Sequence, residues 1–119
     1  MTMPVSYVEI NSSDAEQSRQ FLAEVFGWEF QPFARSDYLV APAGESSGVD
    51  TGSMGSRDGI PRAIPVIRVR SLDATLTSVS ANDGAVVVPP FEVTGVGRGA
   101  YVTDPCGVLI GLHEYDADR

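Results

Sequence analysis

Apolar and polar positions alternate from Pro4 to Ile10, setting Val8 and Ile10 on one side and Tyr7 and Glu9 on the other, and a period of two predicts a strand. Asn11 to Asp14 then offer oxygens for the open N–H groups of a helix start, with Ser13 and Glu16 spaced as a capping box. A helix is predicted from Ala15 to Phe26. Its apolar stripe is Ala15, Leu22, Val25 and Phe26 with Phe21 beside them, and Gly27 stands where a left-handed residue ends a helix. Trp28 to Phe33 and Tyr38 to Ala41 read as strands, with Pro32 placing the first near an edge or marking its end. Val49 to Met54 reads as a fourth strand, inside a stretch from 42 to 62 whose glycines (Gly48, Gly52, Gly55, Gly59) and serines (Ser46, Ser47, Ser53, Ser56) predict a mobile connection.

The pattern then starts again. Ile64 to Val69 reads as a strand and Ser71 as an N-cap, while Leu72, Leu76 and Val79 form a helix stripe closed by Asn82-Asp83-Gly84. Ala85 to Val88 is a β-branched strand stopped by Pro89-Pro90. Gly99 to Thr103 and Val108 to Tyr115 follow as strands, joined by Asp104-Pro105-Cys106-Gly107, a type I turn by its residue types. Asp14 matches Ser71 and Gly27 matches Gly84 at the same spacing, so the order βαβββ occurs twice. The units run 4–54 and 63–116 with 55–62 between them, in a single domain over 1–119.

Length and charge narrow what such a chain can do. At 119 residues it has room for one domain and none for a separate cofactor domain. No apolar run approaches the ~18 residues of a membrane span, and Met1-Thr2-Met3-Pro4 lacks the basic and apolar segments of a signal peptide, which predicts a cytoplasmic protein. A lone Cys106 fits a reducing compartment. The net charge of −8, with arginine as every basic residue, argues against nucleic acid and anionic membrane as partners.

Four segments carry a family resemblance: Tyr7-Val8-Glu9-Ile10 with Asp14 seven residues after Tyr7; Phe21 to Phe30; Ser71-Leu72-Asp73-Ala74; and Asp104-Pro105-Cys106-Gly107 running on to Leu112. Taken in order they resemble the vicinal-oxygen-chelate superfamily of glyoxalase I, bleomycin and fosfomycin resistance proteins and extradiol dioxygenases. The resemblance implies an α+β fold in which two βαβββ units form an open cup-shaped mixed sheet with helices outside and ligands inside. Alternation then sets Val8, Ile10, Ile67, Val69, Val108, Ile110 and Leu112 under the helices. Tyr7, Glu9, Ile64, Val66, Arg68, Leu109, Gly111 and His113 fall on the opposite, cup-lining side.

The resemblance also implies a divalent metal, held at positions that here carry Tyr7, Ile64 and Gly111, with the fourth falling on Asp50 or Gly52. An aliphatic side chain and a glycine offer no lone pair, so the usual site reads as lost and no cofactor is expected. A relocated site from Glu9, Asp50 and His113 is the competing reading. Glu9 and Arg68 read either as a structural ion pair or as a base and an anion grip. Candidate ligand-binding residues are Tyr7, Glu9, Trp28, Val66, Arg68, Tyr101, Gly111 and His113, among aromatic rings that also include Phe30, Tyr38 and Phe91. Gly95-Val96-Gly97-Arg98-Gly99 looks like a phosphate loop but leads into a strand, which predicts a turn. The expected function is binding of a small organic molecule in a metal-free cup, by a homodimer. The rivals are a metal-dependent lyase or dioxygenase with relocated ligands, a metal-free enzyme using Glu9 and His113 for proton transfer, and a domain that binds a protein partner.

Overall fold

The computed structural model describes residues 2–33, 35–41 and 49–116. Ser46, Ser47 and Gly48, which entered the reading of the connection, lie outside the described residues. The described residues form an α+β arrangement of eight strands and two helices, with the βαβββ order occurring twice. The chain divides into two compact units, Ser6–Ile64 and Met1–Val5 with Pro65–Arg119.

The first of these holds nearly all of β1 (Val5–Ser12), then α1 (Ala15–Phe26), β2 (Gln31–Phe33), β3 (Arg35–Ala41) and β4 (Asp50–Gly55). The strands lie in the order β2-β3-β4-β1, with β1 and β4 parallel and the other pairs antiparallel. Asp14 is the N-cap, its carboxylate accepting from Gln17 N–H at 3.1 Å, so the cap is one residue later than the Ser13–Glu16 box. Gly27 closes α1 in the left-handed region at φ 74°, a conformation nearly free of cost only for glycine.

Only part of the apolar stripe expected under α1, Ala15 and Leu22, lies on the face that the helix buries. Phe21, Val25 and Phe26 are more than half exposed, and no residue of α1 is fully buried. Ala15, Ser18, Arg19 and Leu22 are the half-buried positions, spaced to share one face. The surface they meet is polar: Ser12 and Ser18 share a hydroxyl hydrogen bond, and Arg19 donates to Ser53, which is fully buried. Hydrogen bonds therefore hold this helix where an apolar seam was anticipated.

The second unit holds β5 (Arg62–Arg68), within which the chain passes from one unit to the other, then α2 (Leu72–Ala81), β6 (Ala85–Val93), β7 (Gly97–Thr103) and β8 (Leu109–Tyr115). Its strand order is β5-β8-β7-β6, with β5 and β8 parallel. Here the apolar stripe is buried as patterned. Val69, Leu72, Ala100, Val102 and Leu112 form a closed core, flanked by Ile67, Leu76, Val79 and Ile110. Val108 lies before β8 and is 54% exposed, so it leaves the set assigned to the helix side.

Glu114 ties α2 to its sheet. Its carboxylate accepts from the Leu72 N–H at 3.0 Å and from Arg98 at 3.1 Å, while Ser71 caps the helix by accepting from Ala74 N–H. The left-handed residue at the far end is Asp83, at φ 67°, and not Gly84. Gly84 is needed for a different reason, since a Cβ there would meet the Thr103 carbonyl oxygen at 2.7 Å.

β6 runs through Pro89-Pro90 to Val93 instead of stopping before them. It is the edge strand of this unit, and register shifts between Val86 and Val88 and between Val88 and Phe91 absorb the prolines, which need no ladder donor on an open side. β2 is also shorter than predicted, so Trp28 to Phe30 precede it. Residues 94–96 form the turn expected of the glycine-rich loop. The Asp104 turn forms as expected, with Gly107 N–H donating to the Asp104 carbonyl.

Candidate functional site

Strand register in the unit of α2 lines up three transverse rows on the face opposite the helix. Arg68 pairs with His113, His113 with Gly99, and Gly99 with Phe91. The next row is Val66, Gly111 and Tyr101, and the one on the other side is Tyr115 and Gly97. Side chains directly opposite one another share a face, so the alternation read from sequence brings Val66, Arg68, Tyr101, Gly111 and His113 together.

The glycines shape this face. Phe91 lies across Gly99, where a Cβ would meet the ring at 2.9 Å, and Tyr101 stacks on Phe91 at 5.9 Å between centroids and 20° between planes. Gly111 sits between Val66 and Tyr101, whose atoms lie 2.9 and 3.4 Å from where its Cβ would stand. Two positions without side chains thus leave the room that this aromatic pair occupies.

Beyond the pair comes a polar end. His113 is 5% exposed, and Tyr115 meets it edge-on at 4.3 Å between ring centroids. Arg68 is exposed, with its guanidinium carbon 4.3 Å above the centre of the Tyr115 ring. Burial first, and the Arg68 charge second, hold the His113 imidazole below its ordinary value, with Asp116 opposing them. A neutral imidazole next to a ring-stacked guanidinium can accept or donate one hydrogen bond beside a bound anion.

In the unit of α1 the corresponding face carries Tyr7 beside Asp50, Glu9 beside Gly52 and Asn11 beside Met54. Glu9 is 4% exposed and accepts from the Asn11 side chain at 2.8 Å. The Tyr38 ring lies over Gly52, where a Cβ would fall 2.6 Å from its Cζ. Trp28 keeps company with Phe26 and Phe30, at the C-terminal end of α1. Arg98 is engaged by Glu114 and Asp73. Cys106 is exposed in its turn.

Sequence reasoning missed Tyr115 and Asn11. Both were within reach of the same alternation, two residues beyond His113 and Glu9 on the same face. The Phe91–Tyr101 stack was not legible, because the register shift that turns Phe91 over Gly99 arises from prolines read as a strand stop.

The positions at which the family resemblance implies a metal carry few donors, Asp50 or Gly52 being the fourth of them. Ile64 is an aliphatic side chain 2% exposed, Gly111 offers no side chain, and Tyr7 stands alone of the three as an oxygen donor. Among the described residues, no group of three or more His, Cys, Asp or Glu side chains is arranged to hold a metal ion. Among them, too, no helix is long and apolar enough to cross a membrane.

Comparison with known proteins agrees with this architecture. The profile of the glyoxalase/bleomycin resistance protein/dioxygenase superfamily matches residues 5–112. A putative glyoxylase, CFP32, of Mycobacterium tuberculosis is 26% identical over 117 residues, covering 90% of this chain and 44% of that protein. This chain thus spans less than half the length of that relative. A glyoxylase-like domain-containing protein of Didymella fabae is 29% identical over 106 residues, covering 74% of this chain and 81% of its own. In fold, the chain is similar to a superfamily member from Vibrio splendidus, with a TM-score of 0.66 at 18% identity over 97% of this chain and 100% of that one. With the family profile matching residues 5–112 and βαβββ formed twice, this chain belongs to the glyoxalase/bleomycin resistance protein/dioxygenase superfamily.

Proposed function

We propose that this protein binds a small organic molecule without a metal, in the manner of a sequestering protein. The observation that carries the reading is the face of Phe91, Tyr101, His113 and Arg68, where an aromatic platform ends in a cation. Apolar surface with a few convergent polar groups suits a compact organic ligand. The family's metal positions support it from the other side, since Ile64 and Gly111 supply no donor.

The assay is ligand binding by the purified chain, measured with and without a chelator, alongside elemental analysis. The expected result is saturation at one ligand per chain, indifference to chelator and release of the molecule unchanged. Stoichiometric metal whose removal abolishes binding would overturn the proposal. A cytoplasmic homodimer is part of it: the outward Phe21, Val25 and Phe26 of α1 are apolar surface that a second copy would cover, and sedimentation at micromolar concentration tests it.

A second reading has one observation of its own. Burial and Arg68 keep the His113 imidazole neutral, the form a general base requires. It predicts turnover that disappears in His113→Gln, where a binder keeps its stoichiometry and shows no turnover in either form.

A further inference from the structure

The two helices dispose of their large apolar side chains differently. α2 turns its stripe into a closed core, whereas α1 buries Ala15, Ser18, Arg19 and Leu22 in part and leaves Phe21, Val25 and Phe26 on the surface, 59, 56 and 58% exposed. Phe21 and Val25, four residues apart, form one ridge of α1. Past the helix end the apolar surface continues. Phe21 meets Phe26 edge-on at 6.3 Å between centroids, Phe26 meets Trp28 at 5.9 Å, and Trp28 meets Phe30 at 6.3 Å. Four rings in series brace one another, so the patch is set before anything covers it.

The size of the patch decides what can cover it. A phenylalanine side chain carries roughly 200 Å², so the two exposed Phe rings leave roughly 230 Å² open, and Val25 with the half-buried Trp28 and Phe30 raises this to roughly 400 Å². A dimer of standard size takes about 800 Å² from each copy, about 65% of it apolar. The patch thus supplies roughly three-quarters of the apolar area that such a dimer needs. Exposed Gln17, Gln20 and Glu24 stand on the same helix and provide a polar rim. The centre of the patch carries no charge for a partner of opposite sign to read, whereas an identical patch matches it in size and polarity. A two-fold axis closes such a contact at two copies and leaves no further face to grow from.

Resting on the homodimer proposed above, we infer that its two copies join through α1, with the ridges of Phe21 and Val25 packed antiparallel across a two-fold axis. Phe21 of each copy meets Val25 of the other, and Phe26, Trp28 and Phe30 extend the contact at both ends. Each copy carries a charge of −8, so association works against mutual repulsion and salt strengthens it.

Sedimentation of the full chain across the micromolar range, in low and in high salt, measures this. The chain is expected to dimerise with a dissociation constant that falls as salt is added, and emission from its single tryptophan, Trp28, should shift to the red on dilution. Phe21→Glu and Val25→Lys are each expected to weaken the dimer at least tenfold, while Val87→Glu, at a similarly exposed position of β6, leaves it unchanged. Mixed together, the two α1 variants should pair with each other. Antiparallel packing sets the new carboxylate against the new ammonium and keeps one native contact between Phe21 and Val25. Both positions are exposed, and circular dichroism verifies that the variants are folded. A dimer that survives both substitutions unchanged, or variants that fail to pair when mixed, overturns the inference while the homodimer stands. A chain that remains monomeric at high micromolar concentration overturns both, and leaves the face to a different protein.

Discussion

The same substitution in the two helices should have unequal cost. Leu72 is completely buried in the closed core under α2, whereas Leu22 is half-buried at the polar joint under α1. Leu72→Ala removes three carbons from the core, worth about 0.8 kcal/mol each, and leaves a cavity that the surrounding Val69, Val102 and Leu112 can only partly fill. Together these come to about 3–4 kcal/mol. A chain of this length has an unfolding entropy of roughly 0.25 kcal/mol per degree at its midpoint, so the melting temperature should fall by about 12–16 °C. Leu22→Ala recovers only about half the transfer term, and a site open to water leaves no closed void, which gives about 1 kcal/mol and roughly 4 °C. Thermal and urea melts followed by far-ultraviolet circular dichroism measure both. A Leu22→Ala chain that loses as much stability as Leu72→Ala would refute the hydrogen-bonded joint under α1 and mean that this helix rests on a seam as apolar as its counterpart's.

Three other measurements test individual contacts. The Leu72 N–H, first, and Arg98 hold the Glu114 carboxyl below its ordinary value, so the stability it contributes is present above that value and lost as pH falls through the folded one. Glu114→Gln should cost about 1 kcal/mol at neutral pH and flatten the acid limb of the stability profile; an unchanged limb would count against the anchor. The folded His113 imidazole titrates below 6.5, so its contribution is complete above 6.5 and declines as pH falls through the folded value. Its NMR titration should move upward in Arg68→Met and downward in Asp116→Asn, and a midpoint above 6.5 would contradict the burial argument. Gly84→Ala sets a methyl against the Thr103 carbonyl and should destabilise by about 1–3 kcal/mol, whereas a neutral result would mean that the α2–β6 connection can shift aside.

The local signals were legible wherever they were chemical. Asp14 and Gly27 bracketed α1, Ser71 began α2, and the Asp104 turn formed from its residue types. Alternation placed Arg68, Gly111 and His113 on one face because β5 and β8 are regular. What escaped depended on partners distant in the chain. Phe21, Val25 and Phe26 were wrongly placed in the buried stripe of α1 because apolar residues were assumed to seek the sheet, while β1 and β4 offer the helix Ser12 and Ser53. β6 outran its prolines because edge position, a property of strand order, removes the penalty that proline carries in a central strand.

Pro89 and Pro90 also bear on how the protein behaves among its own copies. Val86 and Val87 leave the outer strand greasy, and an uninterrupted ribbon of that kind is a template onto which further chains can add, ending in fibrils. Two consecutive imino acids remove two backbone donors from this strand, and the accompanying register shifts interrupt its ladder. The register shift that carries Phe91 to its place over Gly99 therefore also breaks the border against self-templated growth, joining the placing of the aromatic pair to resistance against amyloid.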